Sequence, residues 1–249
     1  MSKLAVYAGH GGRDFGATSS DGLREKDFTL AVSNRVTQLL RQAGYDVINN
    51  RTTDVDRSIT ADARRANAEG VDGVIEIHLN SNPGAPQTGT ETYYSIKGGR
   101  GKELADAINR QIVELGYVDR GIKTRTNSEG QDYFGIIRLT DAPAVLVETA
   151  FINNPDDMAR FNVDEMARAI VNGIEEVFPP STGENSSEQG VVRIREGTWN
   201  VRAAPNNGAP VVGYVYGGDL HPYSRIVNGW FRLEDGFLSP AAVASVSSS

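Results

Sequence analysis

The chain has no cysteine. That excludes a disulfide framework and any thiolate-bound metal, so a metal site here can draw only on His, Asp and Glu. Histidine is itself scarce, with three in 249 residues: His10, His78 and His221. No apolar run approaches the length of a membrane span, which excludes membrane insertion by a helix. The opening MSKLAVYAGHGG has one Lys and a five-residue apolar run, too short for the core of a signal peptide. The expectation is a chain made in the cytoplasm without an export signal of its own. Basic charge is short as well. The net charge is −7 and is unevenly spread: residues 190–244 carry five Arg against four acids, and the remainder of the chain carries −8. An acidic body without a basic stripe argues against nucleic acid as a partner. Nothing in the sequence points to an obligate protein partner.

What remains has the composition of an ordinary globular protein, 39% hydrophobic and 23% charged. Over the first 178 residues, β-rich runs alternate with helical patterns. LAVYAG (4–9), YDVINN (45–50), GVIEIHL (73–79), TETYYSI (90–96) and AVLVETA (144–150) read as strands. KDFTLAVSNRVTQLLRQAG reads as a helix ending at Gly44, and TADARRANAEG, GKELADAINRQIVELG and NPDDMARFNVDEMARAIVNGIEEVF as three more. This alternation predicts an α/β domain, with a mostly parallel sheet and helices on both faces. PPSTGENSSEQG (179–190) is linker chemistry. Beyond it, short β-rich runs punctuated by Asn-Gly, Gly-Gly and Pro predict a small all-β barrel, and the final SVSSS is expected to fray. The expected domains are therefore 1–179 and 191–244, joined by 180–190. The barrel aromatics Trp199, Tyr214, Tyr216, Tyr223, Trp230 and Phe237 are expected to be mostly core.

In open α/β sheets, ligands bind at the carboxyl ends of the strands. His10 follows the first strand, His78 ends the third, and Glu148 closes PAVLVE. Alternation puts Val74, Glu76, His78 and Asn80 on one face of the third strand. Two imidazoles and a carboxylate with an open fourth position form a recurring catalytic zinc set, and a further carboxylate can then move the protons. The residues leave alternatives open. The glycines around His10 could instead cradle a phosphate, although no Lys-Ser/Thr follows and no G-x-G-x-x-G is formed. Glu25 could be a solvated helix start, with Asp14 and Asp27 as local competitors. Glu148 could sit in a buried salt bridge, and Asn80 could contact substrate or cap its strand. Arg51 and Arg65 read as structural ion-pair partners, and His221 as a surface or packing residue.

The stretches GHGGRDFGA, GLREKDFTL, RRANAEGVDGVIEIHLNS and PAVLVETAFINNPDD occur in that order over residues 3–178. In them the chain resembles the zinc-dependent N-acetylmuramoyl-L-alanine amidases, which cut peptidoglycan between the lactyl group of muramic acid and L-alanine. The resemblance implies one Zn2+ per catalytic domain, with His10, Glu25 and His78 as ligands and Glu148 as the catalytic carboxylate. Phe15 stands where a Pro is common, Ala150 where Gly is usual, and Glu76 where Ser is more frequent. Glu76 is expected to add negative charge near the metal or to orient a ligand, and Asn80 is the accompanying candidate for contact with substrate.

WNVRAAPNNGAPVVGYVYGGD and NGWFRLEDGFLS resemble a bacterial SH3-like domain, with Phe237 where Trp often sits. Such modules generally bind cell-wall peptide, so the resemblance implies targeting to peptidoglycan. Without an export signal, release through a membrane pore as a phage endolysin is the expected biology, ahead of a bacterial autolysin. Two other classes stay open: a zinc peptidase that cuts within the stem peptide, and a wall-binding protein without catalysis.

Overall fold

The computed structural model describes residues 2–82, 84, 87–179, 189–227 and 229–248, so most of the expected linker, 180–188, lies outside the described residues. Contacts divide the chain into two compact units, 2–178 and 179–249.

The first unit is built on a six-stranded sheet. Its strands are β1 (Lys3–Ala8), β2 (Asp46–Asn49), β3 (Gly73–Asn80), β4 (Thr90–Tyr94), β5 (Asp119–Lys123) and β6 (Ala144–Phe151), in the spatial order β2-β1-β3-β6-β4-β5. The β1, β2, β3 and β6 strands pair in parallel, as the alternation predicts. The β4 strand runs antiparallel to β6 and β5 follows β4, so the sheet is mixed at one side.

Helices α1 (Glu25–Gln42), α3 (Arg100–Val113) and α6 (Val163–Val177) cover one face, where Val32, Val36 and Leu40 meet Leu4, Val6, Ile75 and Ile77. Helices α2 (Ile59–Glu69) and α4 (Gly135–Leu139) cover the other, against Ala5, Tyr7, Val74 and Leu146. The period of two in β3 therefore sends Ile75 and Ile77 into the α1/α3/α6 core and leaves Glu76 and His78 on the opposite face.

Three departures from the expected elements have local causes. The predicted single helix over 154–178 is two, α5 (Pro155–Ala159) and α6. The side chain of Asn162 caps α6 by accepting from the amides of Asp164 and Glu165, which restarts the chain in a new direction. Strand β5 and helix α4 are each five residues long and lack a full period of pattern, so nothing in the sequence marks them. The terminal SVSSS does not fray through Ser248. It belongs to strand β14 (Val243–Ser248), paired antiparallel with β7 (Gly190–Ile194).

The second unit is all-β. The β10 (Leu220–Tyr223), β7 and β14 strands form one antiparallel sheet. The β11 (Ile226–Val227), β12 (Trp230–Arg232), β13 (Phe237–Leu238), β8 (Thr198–Arg202) and β9 (Val211–Tyr216) strands form another. Val192, Ile194, Val201, Val215, Phe231 and Leu238 make its core. Tyr223 and Trp230 are buried as expected, whereas Tyr214 and Tyr216 are more than half exposed on one face of β9. Both stand at outward positions of the strand, with Val215 pointing inward between them.

Candidate metal centre and cleft

Strand β1 delivers the chain to the carboxyl edge of the sheet, where Gly9 to Gly12 turn it sharply. Within that turn His10 adopts φ 58°, the one positive φ on a non-glycine residue among the described residues. Such a conformation costs about 1–3 kcal/mol and persists only where its surroundings fix it. They do so here. The Gly9 amide donates to the Ile77 carbonyl at 2.9 Å, and Gly11 and Asp14 exchange backbone hydrogen bonds. The Gly9 carbonyl accepts from Thr29 Oγ1 and Arg51 Nη2. Arg51 is structural, as expected, but it works through carbonyls and a hydroxyl rather than through an ion pair; Arg65 likewise donates to the Asn49 carbonyl.

The flanking glycines have a steric task. A Cβ on Gly9 would lie 2.4 Å from the His78 ring, and one on Gly16 would lie 2.6 Å from both Glu25 Oε2 and the His10 ring. Bare backbone at these two points lets the three side chains close on one another.

Glu25 opens helix α1 and is buried. Each of its oxygens takes a backbone amide, Oε1 from Leu79 at 3.0 Å and Oε2 from Ala17 at 2.8 Å. The same oxygens face the two imidazoles, with Oε1 2.9 Å from His78 Nδ1 and Oε2 3.2 Å from His10 Nε2. The rings are 4.9 Å apart and nearly perpendicular. One donor atom from each of His10, Glu25 and His78 can be chosen so that all lie within 4.8 Å of one another. A tetrahedral zinc site with ligand bonds of about 2.0–2.1 Å has donor–donor edges of roughly 3.3 Å, so the set fits such an ion.

The remaining nitrogen of each imidazole faces a carboxylate. His10 Nδ1 meets Asp14 Oδ2 at 2.8 Å, and His78 Nε2 lies 3.5 Å from Glu76 Oε2. Glu76 is in turn paired with the buried Arg57 at 2.5 Å, and Arg57 with Asp62 at 2.8 Å. Partners of this kind fix which nitrogen is free to ligate. Asp14, weighed in the sequence as a competing ligand, thus stands behind His10 rather than beside Glu25. Asp27 is exposed and takes no part.

Electrostatics follow from this packing. Burial opposes charge on Glu25, but its hydrogen bonds to His10 and His78 win and hold the carboxyl well below the usual range. Burial also opposes charge on His78, yet Glu25 and Glu76 raise it well above an ordinary histidine. Glu148 is the exception. It is the register partner of His78 on β6, and its Oε2 is shielded from solvent with no hydrogen-bond partner among the described residues. Burial, opposed by His78 and reinforced by Glu25 and Glu91, pushes its carboxyl up to about 7. A carboxyl kept unpaired and raised in this way is suited to proton transfer near neutrality.

These residues line a cleft of about 610 Å3 whose apolar wall includes Ile59, Tyr133, Phe134 and Leu146. Asn80 also lines it, but its amide donates to Glu91, a buried carboxylate that further accepts from Tyr93, Arg120 and Lys123. His221 belongs to the second unit, 3.9 Å from Asp219. The sequence reading missed Arg57 and Glu91, whose partners come from distant elements. It also missed Arg125 and Tyr133, which lie between the two elements without a pattern.

The family profile described as N-acetylmuramoyl-L-alanine amidase (Amidase_3) matches residues 4–176. An endolysin of Bacillus phage SPP1 is 36% identical over 183 residues, covering 70% of this chain and 64% of that protein. The N-acetylmuramoyl-L-alanine amidase LytC of Bacillus subtilis is 34% identical over 177 residues, covering 68% of this chain but only 34% of LytC. Among solved structures, the catalytic domain of CwlV, an N-acetylmuramoyl-L-alanine amidase from Bacillus (Paenibacillus) polymyxa var. colistinus, superposes with a TM-score of 0.65 at 29% identity. It covers 73% of this chain and 100% of that domain.

Proposed function

Because the chain belongs to the N-acetylmuramoyl-L-alanine amidase family, we propose that it hydrolyses the amide between the muramic acid lactyl group and L-alanine of peptidoglycan as a zinc enzyme. The observation that carries the zinc reading is the closed set His10–Glu25–His78, with an unpaired, raised Glu148 beside it.

In this reading His10, Glu25 and His78 would hold one Zn2+, while Asp14 and Glu76 face the other nitrogens of the two rings. A bound zinc ion supplies Lewis acidity at this corner of the cleft, toward an amide carbonyl and toward water. Glu148 takes a proton from the attacking water as its oxygen bonds to the lactyl carbonyl carbon. It then gives that proton to the L-alanine nitrogen as the carbon–nitrogen bond breaks. The products are a lactyl carboxylate and a peptide with a free amino terminus. Glu148 lines the cleft, which brings its carboxyl to the substrate side of the site for both transfers. Asn80, held by Glu91, stands at the cleft wall as a substrate-contacting group.

The unit beyond residue 179 we assign as an SH3-like, wall-binding domain, with the exposed Tyr214 and Tyr216 of β9 as its contact face. The family match stops at residue 176, so this assignment rests on the resemblance of WNVRAAPNNGAPVVGYVYGGD and on the all-β architecture. A lytic role at the cell wall, as an endolysin or an autolysin, joins the two assignments.

Digestion of purified cell wall with and without a chelator tests the reading. New amino termini of L-alanine that vanish on chelation and return with zinc are expected. New termini of any other residue would remove the amidase reading, and digestion indifferent to chelation would remove the metal.

A further inference from the structure

Two cations line the cleft, Arg57 and Arg125. Arg57 is spent on Glu76 and Asp62. Arg125 has no ion pair among the described residues, and the acids that line the cleft with it are Asp14, Glu25, Glu76 and Glu148. Its guanidinium is nonetheless not adrift. It lies 3.8 Å from the centroid of the Tyr133 ring, the distance of a close cation–π contact.

The loop that presents this pair is pinned along its length. The Tyr133 amide donates to the Arg125 carbonyl at 2.8 Å, and Thr126 pairs with Asp132. Buried Asp132 accepts from Ser95 Oγ and the Ile96 amide, while Arg138 donates to the carbonyls of Asp132 and Tyr133. Asn127 closes the tip by accepting from the amides of Glu129 and Gln131. Behind Tyr133, Phe134 stacks edge-on against it and packs at 4.7 Å on Tyr93. Arg125 is thus a planar donor fork laid against the Tyr133 ring at the exposed rim of the cleft.

We infer that Arg125 recognises a carboxylate of the substrate peptide and so sets which stem peptides are cut. The inference rests on the amidase reading. The scissile amide joins two partners of different charge. The lactyl carboxyl is consumed in the bond and N-acetylated sugars are neutral, so the free carboxylates lie on the peptide side. They have two sources, a carboxyl carried by the residue after L-alanine and the carboxyl at the peptide's end.

The test uses the full chain loaded with zinc and synthetic N-acetylmuramoyl-L-alanyl peptides. These differ only in carrying a carboxylate or a carboxamide at the second residue, at the terminus, or at both. The wild-type protein is expected to cleave the acid form at one of these positions with a kcat/KM about 10-fold or more above its amide, the scale of a charge-assisted hydrogen bond. The difference should lie in KM and shrink as salt is added. In Arg125→Gln the acid-to-amide ratio falls toward one, and Arg125→Lys recovers part of it, since it keeps the charge without the planar fork. The position whose amidation matters identifies the source. Equal cleavage of acid and amide forms by the wild-type protein, or an unchanged ratio in Arg125→Gln, would overturn the inference while leaving the amidase reading intact. Failure to cleave any of the peptides at the lactyl–alanine bond would remove both.

Discussion

His78 and Glu148 are paired residues on the adjacent parallel strands β3 and β6, and the register between those strands slips immediately beyond them, so that Asn80 pairs with Phe151. The pairing puts the His78 imidazole and a carboxylate whose Oε2 has no hydrogen-bond partner among the described residues on the same face of the sheet. The slip ends the regular ladder there and opens the edge toward the cleft.

The first prediction concerns the carboxylate behind His78. Glu76→Gln keeps the shape but removes the charge facing His78 Nε2 and leaves Arg57 with Asp62 alone. Zinc affinity, measured by competition with a chromogenic chelator, should fall by about 10–100-fold. Unchanged affinity would assign Glu76 a packing role only.

A second prediction follows from the glycines. Gly9 has no positive φ, so Gly9→Ala tests space alone, and its Cβ would enter the His78 ring. Overpacking of this kind costs about 1–3 kcal/mol. The variant should fold, melt at a lower temperature and bind zinc at least about 10-fold more weakly. Wild-type zinc affinity in this variant would show that the ring has room to retreat.

Stability against pH gives a third. With its carboxyl raised from 4.5 to about 7, Glu148 is neutral in both folded and unfolded chains at low pH. As pH rises past 4.5, the unfolded chain ionises first and the folded form loses ground until both are charged above about 7. Glu148→Gln never ionises. In chelator-treated protein, the variant should therefore match wild type near pH 4 and exceed it above pH 7 by about 3 kcal/mol. Helix circular dichroism is the suitable probe. Both Trp residues, Trp199 and Trp230, lie in the second unit, whereas the α-helices of the described residues all lie in the first. A stability difference independent of pH would contradict the raised carboxyl.

The second unit supplies a fourth. Replacing Tyr214 and Tyr216 by Ser in the full chain removes exposed aromatic surface without touching the core formed by Val201, Val215 and Leu238. Co-sedimentation with purified walls should fall by about 10-fold or more, while cleavage of a small soluble muramoyl peptide is kept. Undiminished sedimentation would place wall binding on another face.

Much of this site can be read in the sequence because sheet geometry makes strand ends predictable. His10, His78 and Glu148 each terminate a strong apolar run, and the alternation in GVIEIHLN by itself assigns His78 and Glu76 to one face. Glu25 is different. Its place depends on where the first turn of α1 docks, through amides of Ala17 and Leu79 that are far from it in space until the chain folds. Only the resemblance to the amidases pointed to it. Arg57, Glu91 and Arg125 escaped for the same reason, since each has meaning only through partners on other elements. The glycines around His10 were legible as a tight turn, but their main task, making room for the His78 ring and for Glu25, could be seen only in three dimensions.

The central claim separates two jobs, metal holding by His10, Glu25 and His78 and proton transfer by Glu148. Its most direct test is to measure bound zinc and turnover of a defined N-acetylmuramoyl-L-alanyl peptide together, in His78→Ala and in Glu148→Gln. His78→Ala should lose both zinc and activity. Glu148→Gln should keep about one zinc per chain and lose turnover by at least about 100-fold. Full activity in Glu148→Gln, or loss of its zinc with activity restored by added metal, would contradict the account.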